Sequence, residues 1–258
     1  MIAFLGSVGA VFLGFLAATG RIVRFALAAL AAGFRPPYYP RLMLRQIVNI
    51  GYFSLPVVGL TAIFTGMVLA LQSYTGFSRF AAESAVATVV VLSMTRELGP
   101  VIAGLMVAGR VGAAMAAEIG TMRVTDQIDA LVTLSTDPLR YLVLPRLVAG
   151  FLTLPVLVLV ADIIGVFGGF LVGTYKLEFS PSAYLTRTEE FLETMDVVSG
   201  LVKAAVFGFI IALMGCYHGY HSRGGAEGVG QATTYAVVSA SILILLSNYL
   251  LTEAFFAR

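Results

Sequence analysis

Between residues 141 and 173 the only charged side chains are Arg146 and Asp162. A run this long and this apolar is read as a span of a lipid bilayer. There the backbone must satisfy its own polar groups, so helices are the economical solution. Four more such runs lie near residues 50–72, 86–119, 197–219 and 232–256. The sequence therefore predicts an all-α polytopic membrane helix bundle with about five transmembrane helices. Hydrophobic residues make up 59% of the chain and charged residues only 12%, against about a quarter charged in a soluble domain. A formal charge of +2 is too small to suggest nucleic acid. Cys216 stands alone, so no intrachain disulfide is available.

The first forty residues read as a separate unit. Residues 1–20 are apolar and are followed by Arg21 and Arg24. A cleaved signal peptide carries its positive charge before the apolar core, not after it. Residues 1–34 form either a sixth span or a helix lying in the membrane interface, and the placement of the basic residues favours the interface. Pro36, Pro37 and Pro40 then break the chain. We divide the sequence into an N-terminal interfacial helix and linker, 1–40, and a transmembrane domain, 41–258. Basic residues cluster before the first span and in the 119–140 connection, while residues 174–196 are acidic. The bias of basic residues towards the cytoplasm predicts a cytoplasmic N-terminus and an external acidic segment.

The second span, 86–119, is too long for one straight crossing: about 50 Å of helix against a hydrocarbon core of about 30 Å. Gly99-Pro100 supplies a bend. Arg96 and Glu97 stand just before it, and with Glu118 at the cytoplasmic edge they fall about 31 Å away, near the outer leaflet. Ionisable groups at such depth are functional candidates by default, and a purely structural Arg–Glu pair is the alternative. Asp162 has no evident partner, and Lys203 either snorkels or pairs with Asp196. Small residues four apart, among them Gly104, Ala108 and Gly112, predict close helix packing. Gly165, Gly168, Gly169 and Gly173 repeat the theme in the third span.

After the second span, Thr125 is placed to cap a short helix with Asp126 in its first turn and Asp137-Pro138 at its end. Val124, Ile128, Leu131, Val132 and Ser135 fall on one side of it, and Asp126, Gln127 and Asp129 largely on another. Such a helix can rest on lipid or present its polar side to a cytoplasmic protein.

The run RELGPVIAGLMVAGRVGAAMAAEIGTMRVTDQIDAL closely resembles the hallmark segment of the MlaE/YrbE family of ABC-transporter permeases. GYHSRGGAEGVGQATTYAVV, residues 219–238, resembles the family's Gly-rich loop and last helix. The first span, with Gly51, Ser54, Pro56, Phe64-Thr65-Gly66-Met67 and Gln72, is similar as well, so the resemblance covers about residues 40–256. It implies a homodimer in the cell inner membrane that moves phospholipids between inner and outer membranes. Its implied partners are cytoplasmic ABC ATPase subunits, a periplasmic MCE-domain protein and a small STAS-like subunit. By the same resemblance Thr125, Asp126 and Gln127, with Asp129 beside them, couple to the ATPase; Asp126 stands where Glu is common in the family. Arg96 and Glu97 match the family's charged pair near the lipid cavity, and Leu69, Gln72 and Tyr74 are weaker candidates for lining it.

The chain has no G-x-x-x-x-G-K-[ST] motif, so ATP and its Mg²⁺ are expected on a partner subunit and no cofactor on this chain. His218 and His221 alone make no metal site, because a closed zinc site needs four ligands. A permease for another lipid, such as a sterol, remains open. An ion-coupled secondary transporter would use Glu97 or Asp162 for proton coupling, but the expected internal repeat is not evident. A membrane enzyme would need convergent catalytic groups that the sequence does not show.

Overall fold

The computed structural model describes residues 2–34, 36–80 and 82–256, and every regular element among them is helical. Helix α1 spans Ile2–Ala32, α2 Pro40–Ile50 and α3 Leu55–Phe77. The second long segment runs through α4 (Val86–Ser93), α5 (Gly99–Val107) and α6 (Ala113–Val124). It is followed by the short α7 (Gln127–Thr133) and then α8 (Leu144–Tyr175). The chain closes with α9 (Pro181–Phe191), α10 (Thr194–Tyr220) and α11 (Gly225–Phe256).

Among the described residues, six helical stretches are long and apolar enough to cross a membrane: the five expected spans, lengthened at their ends, and Phe12–Ala32 within α1. By length and composition alone α1 therefore qualifies as a span too. From Leu16 onwards its side chains are largely exposed, as are Phe12 and Leu13. One anchor is Phe25, whose ring lies 5.6–5.7 Å from those of Tyr217, Tyr220 and His221 on and just after α10. Ring pairs at such separations add about 0.5–1.5 kcal/mol each beyond burial.

Two helices form the centre. α8 packs against α3 on one side and α10 on the other, and α10 also packs against α6 and α11. In lipid the hydrophobic effect does not drive this association, so close van der Waals approach must. Two glycine pairs permit it. A methyl group on Gly66 of α3 would run into the backbone of Gly165 on α8, and one on Gly208 of α10 would run into Gly150 on α8. Gly165 belongs to the glycine spacing read in the third span, whereas Gly150 and Gly208 lie outside the spacings read from the sequence.

The second long segment does not break sharply at Gly99-Pro100. It widens instead into a π turn over Met94–Leu98, and a second π turn spans Ala108–Gly112. π turns inside α-helices are frequent at functional sites. Each of these carries an arginine, Arg96 in the first and Arg110 in the second.

Candidate functional site

The first π turn owes its shape to Pro100, which has no N–H to offer the carbonyl four residues back, that of Arg96. Lys203 fills the gap. Its ammonium donates to the Arg96 carbonyl, to Oε1 of Glu97 and to Oγ1 of Thr252, each at 2.8 Å. Lysine has three N–H donors, and here all three are used. The side chain is fully buried, one of the largest to be so among the described residues. On the other carboxylate oxygen, Glu97 accepts from Asn248 Nδ2 at 2.8 Å. The turn, α10 and α11 are thereby tied together at one level.

Arg96 points elsewhere. Its Nε donates to Oδ1 of Asp196 at 2.6 Å, and its guanidinium lies 4.6 Å from the ring centre of Phe256. Asp196 is completely buried and also accepts, at 3.1 Å, from the backbone N–H of Glu193 in the capping box that starts α10. A third of the Arg96 side chain remains exposed (34%). The site is therefore a buried ion-pair network with one partly exposed guanidinium.

Two alternatives left open by the sequence, an Arg96–Glu97 pair and a Lys203–Asp196 pair, are both corrected here. Arg96 and Glu97 do not pair with each other, because neighbours on a helix project about 100° apart. Lys203 pairs with Glu97 and not with Asp196, which lies two turns, or about 10 Å, away along the same helix. Asp196, Asn248, Thr252 and Phe256 were missed as site residues. Asn248 and Thr252 carried a usable signal: two polar residues four apart share one face in the largely apolar C-terminal half of the last helix.

Of the weaker candidates, Leu69 and Tyr74 pack against a separate apolar cluster that includes Ala70, Val90 and Met94. Tyr74 meets Phe179 edge-on at 5.8 Å, and Gln72 is exposed.

The second π turn makes a smaller polar junction. Arg110 donates to Ser54 Oγ through Nε and Nη2, at 3.1 and 2.9 Å, and to the Asn49 carbonyl at 2.6 Å. Nearby, the buried Arg146 pairs with Glu118 at 2.8 Å.

The segment after α6 is organised differently from the expectation. Thr125 does not cap α7; its hydroxyl donates back to the Thr121 carbonyl and accepts from Gln127 Nε2. Asp126 occupies the N-cap in a left-handed conformation, φ 59°, with no side-chain cap bond. α7 also ends at Thr133, before Asp137-Pro138. There the Asp137 carboxylate accepts instead from the Leu139 N–H, at the start of the next helical segment. The partition of faces stands in part. Ile128 is fully buried and Leu131 is partly buried, whereas Val132 is exposed like Asp126, Gln127 and Asp129. Asp129 pairs with Arg123 at 2.7 Å. The two histidines go separate ways: His218 Nε2 lies 3.1 Å from Ser239 Oγ, and His221 Nδ1 lies 2.8 Å from the Tyr217 carbonyl.

The sequence belongs to a known class of membrane subunit. The family model described as Permease MlaE matches residues 43–254. The chain belongs to the MlaE permease family. A probable ABC transporter permease protein of Rickettsia felis is 64% identical over 250 residues, covering 97% of this chain and 96% of that one. The intermembrane phospholipid transport system permease protein MlaE of Haemophilus influenzae is 35% identical, covering 98% and 97% of the two chains. A chloroplast protein of Arabidopsis thaliana, trigalactosyldiacylglycerol 1, is 38% identical over 83% of this chain and 61% of its own. This MlaE-family permease is thus a multi-pass membrane protein of the ABC transporter class. These likenesses do not favour the secondary-transporter reading.

Proposed function

We propose that the permease moves phospholipid between the inner and outer membranes as a homodimer in the inner membrane, with its N-terminus in the cytoplasm. ATP hydrolysis belongs to a separate ATPase subunit docked at Thr125–Asp129, and an MCE-domain protein receives or delivers lipid at the outer end, with a small STAS-like subunit completing the assembly. The observation that carries this reading is Arg96: a guanidinium anchored at one edge by Asp196 and still a third exposed. Guanidinium offers a planar fork of donors suited to a phosphate group, and Asp196 and Phe256 hold it in place. The name of the Haemophilus relative supplies the substrate class. The exposed apolar faces of α3 (Leu60, Phe64, Val68) and α11 (Tyr235, Val238, Ile242) are available to a second copy.

Arg96→Ala tests the headgroup role. Phospholipid copurified with the dimer should fall severalfold, with the dimer still folded in a thermal scan. Undiminished lipid in a folded variant would remove Arg96 from the lipid path. Mass measurement in nanodiscs tests the dimer, and a monomer in the presence of the ATPase would exclude it.

A further inference from the structure

Behind the first π turn, on the side away from α11, lies a cavity of about 510 Å³ between α4, α8, α9 and the start of α10. Its size falls within the range of small-molecule sites, about 300–1,000 Å³. Thr95, Asp162, Ile163, Phe167, Phe170 and Tyr184 are among its lining residues, and the walls are almost wholly apolar. Ile163 and Phe167 are 63% and 52% exposed on the outer face of α8, so the cavity opens towards the bilayer.

Asp162 is out of place in such walls. It is 5% exposed, and its Oδ1 has no hydrogen-bond partner. The two threonines of the cavity do not serve it: Thr95 donates to the Val91 carbonyl and Thr188 to that of Tyr184. No lysine, arginine or histidine lines the cavity among the described residues. The Asp162 Oδ1 is seated against Gly99, where a methyl group would overlap it. A buried carboxylate without a counter-charge is costly, and buried charges are ordinarily paired. The cavity thus lacks a cation of its own and offers a place for one.

We infer that this cavity binds a lipophilic amine: one protonated nitrogen to pair with Asp162, an apolar body against the hydrophobic walls, and no phosphate. Phe167 and Phe170 stack with centroids 6.4 Å apart, and Tyr184 meets Phe170 edge-on at 5.7 Å. Aromatic faces accept a hydrocarbon body and also attract a passing cation. An anionic phospholipid headgroup without an amine does not fit these terms, because its phosphate would face Asp162 with no cation to offset it. The two sites therefore have opposite polarity: Arg96 suits an anion, and Asp162 a cation.

The test uses the full-length permease in phosphatidylcholine nanodiscs. Saturable binding of dodecylamine and of dodecanol is measured above the uptake of empty nanodiscs. The amine should bind about tenfold more tightly than the alcohol. Asp162→Asn should abolish that preference, and Ile163→Trp, which fills the mouth from the bilayer side, should lower amine binding about tenfold. Equal affinity of the wild type for amine and alcohol would overturn the assignment even if Asp162→Asn does not fold. So would an amine preference that survives Asp162→Asn, or amine binding undiminished by Ile163→Trp, in a folded protein.

Discussion

Lys203 on α10 donates to the backbone carbonyl of Arg96, 2.8 Å away, a carbonyl that Pro100 leaves without its helical partner. A single ammonium thereby repairs a helix irregularity and neutralises the neighbouring Glu97 at the same time. The irregularity and the ion pair are one structure.

Lys203→Met should accordingly destabilise more than a lost contact would. It leaves the Arg96 carbonyl and the Glu97 carboxylate without their buried donor. Breaking a buried pair costs about 3–5 kcal/mol, and the 36% exposure of Glu97 brings the expectation down to roughly 2–4 kcal/mol. Adding Glu97→Gln should recover part of the loss. Thermal unfolding of the single and double variants checks this, and strict additivity would show that the two groups act independently.

Gly208→Ala places a methyl group against the backbone of Gly150 at the α8–α10 crossing. No flexible side chain stands there to move aside, so the helices must separate. Overpacking of this kind costs about 1–3 kcal/mol. The variant should unfold earlier and yield less monodisperse protein, whereas Gly230→Ala, with open space around it, should behave as wild type.

Asp126 sets a third expectation. Its left-handed backbone, φ 59°, is tolerated by Asp, Asn and Gly and costs about 1–2 kcal/mol for other residues. Asp126→Val should lower stability by that order, and Asp126→Gly should not. Combining Asp126→Gly with Gln127→Ala therefore removes both polar side chains without adding strain. Recovery of the ATPase with this double variant should drop severalfold. Full recovery would place the docking surface elsewhere.

Tyr184 on α9 has a buried hydroxyl with no partner, and burial pushes its pKa up to about 12. Between the ordinary tyrosine value, about 10, and that value, the unfolded chain releases a proton that the folded chain retains. Stability contributed by the neutral phenol is therefore present below about pH 10 and declines as the pH rises through this window. Tyr184→Phe should flatten that decline while leaving stability at neutral pH unchanged or slightly higher, since an unsatisfied hydroxyl is removed. Unfolding scans across the alkaline range decide it. An unchanged slope would mean that Tyr184 does not titrate in this way.

The helical class, the five expected spans and a helix irregularity near Gly99-Pro100 were legible in the sequence, because each rests on local quantities: run length, hydropathy and the chemistry of proline. The glycine spacing announced close packing for the same reason. The sequence could not assign partners. Arg96 with Asp196, and Glu97 with Lys203, are pairs separated by about a hundred residues, and adjacency along the chain suggested the wrong match. Thr125 as a cap failed because it closes α6 and Asp126 takes the N-cap of α7, a one-residue shift of boundary that pattern alone does not resolve. Asp162 was visible only as an isolated charge. That it lines an apolar cavity with no cation on its walls follows from how α4, α8, α9 and α10 enclose space, and enclosure is a property of packed surfaces that no single segment carries.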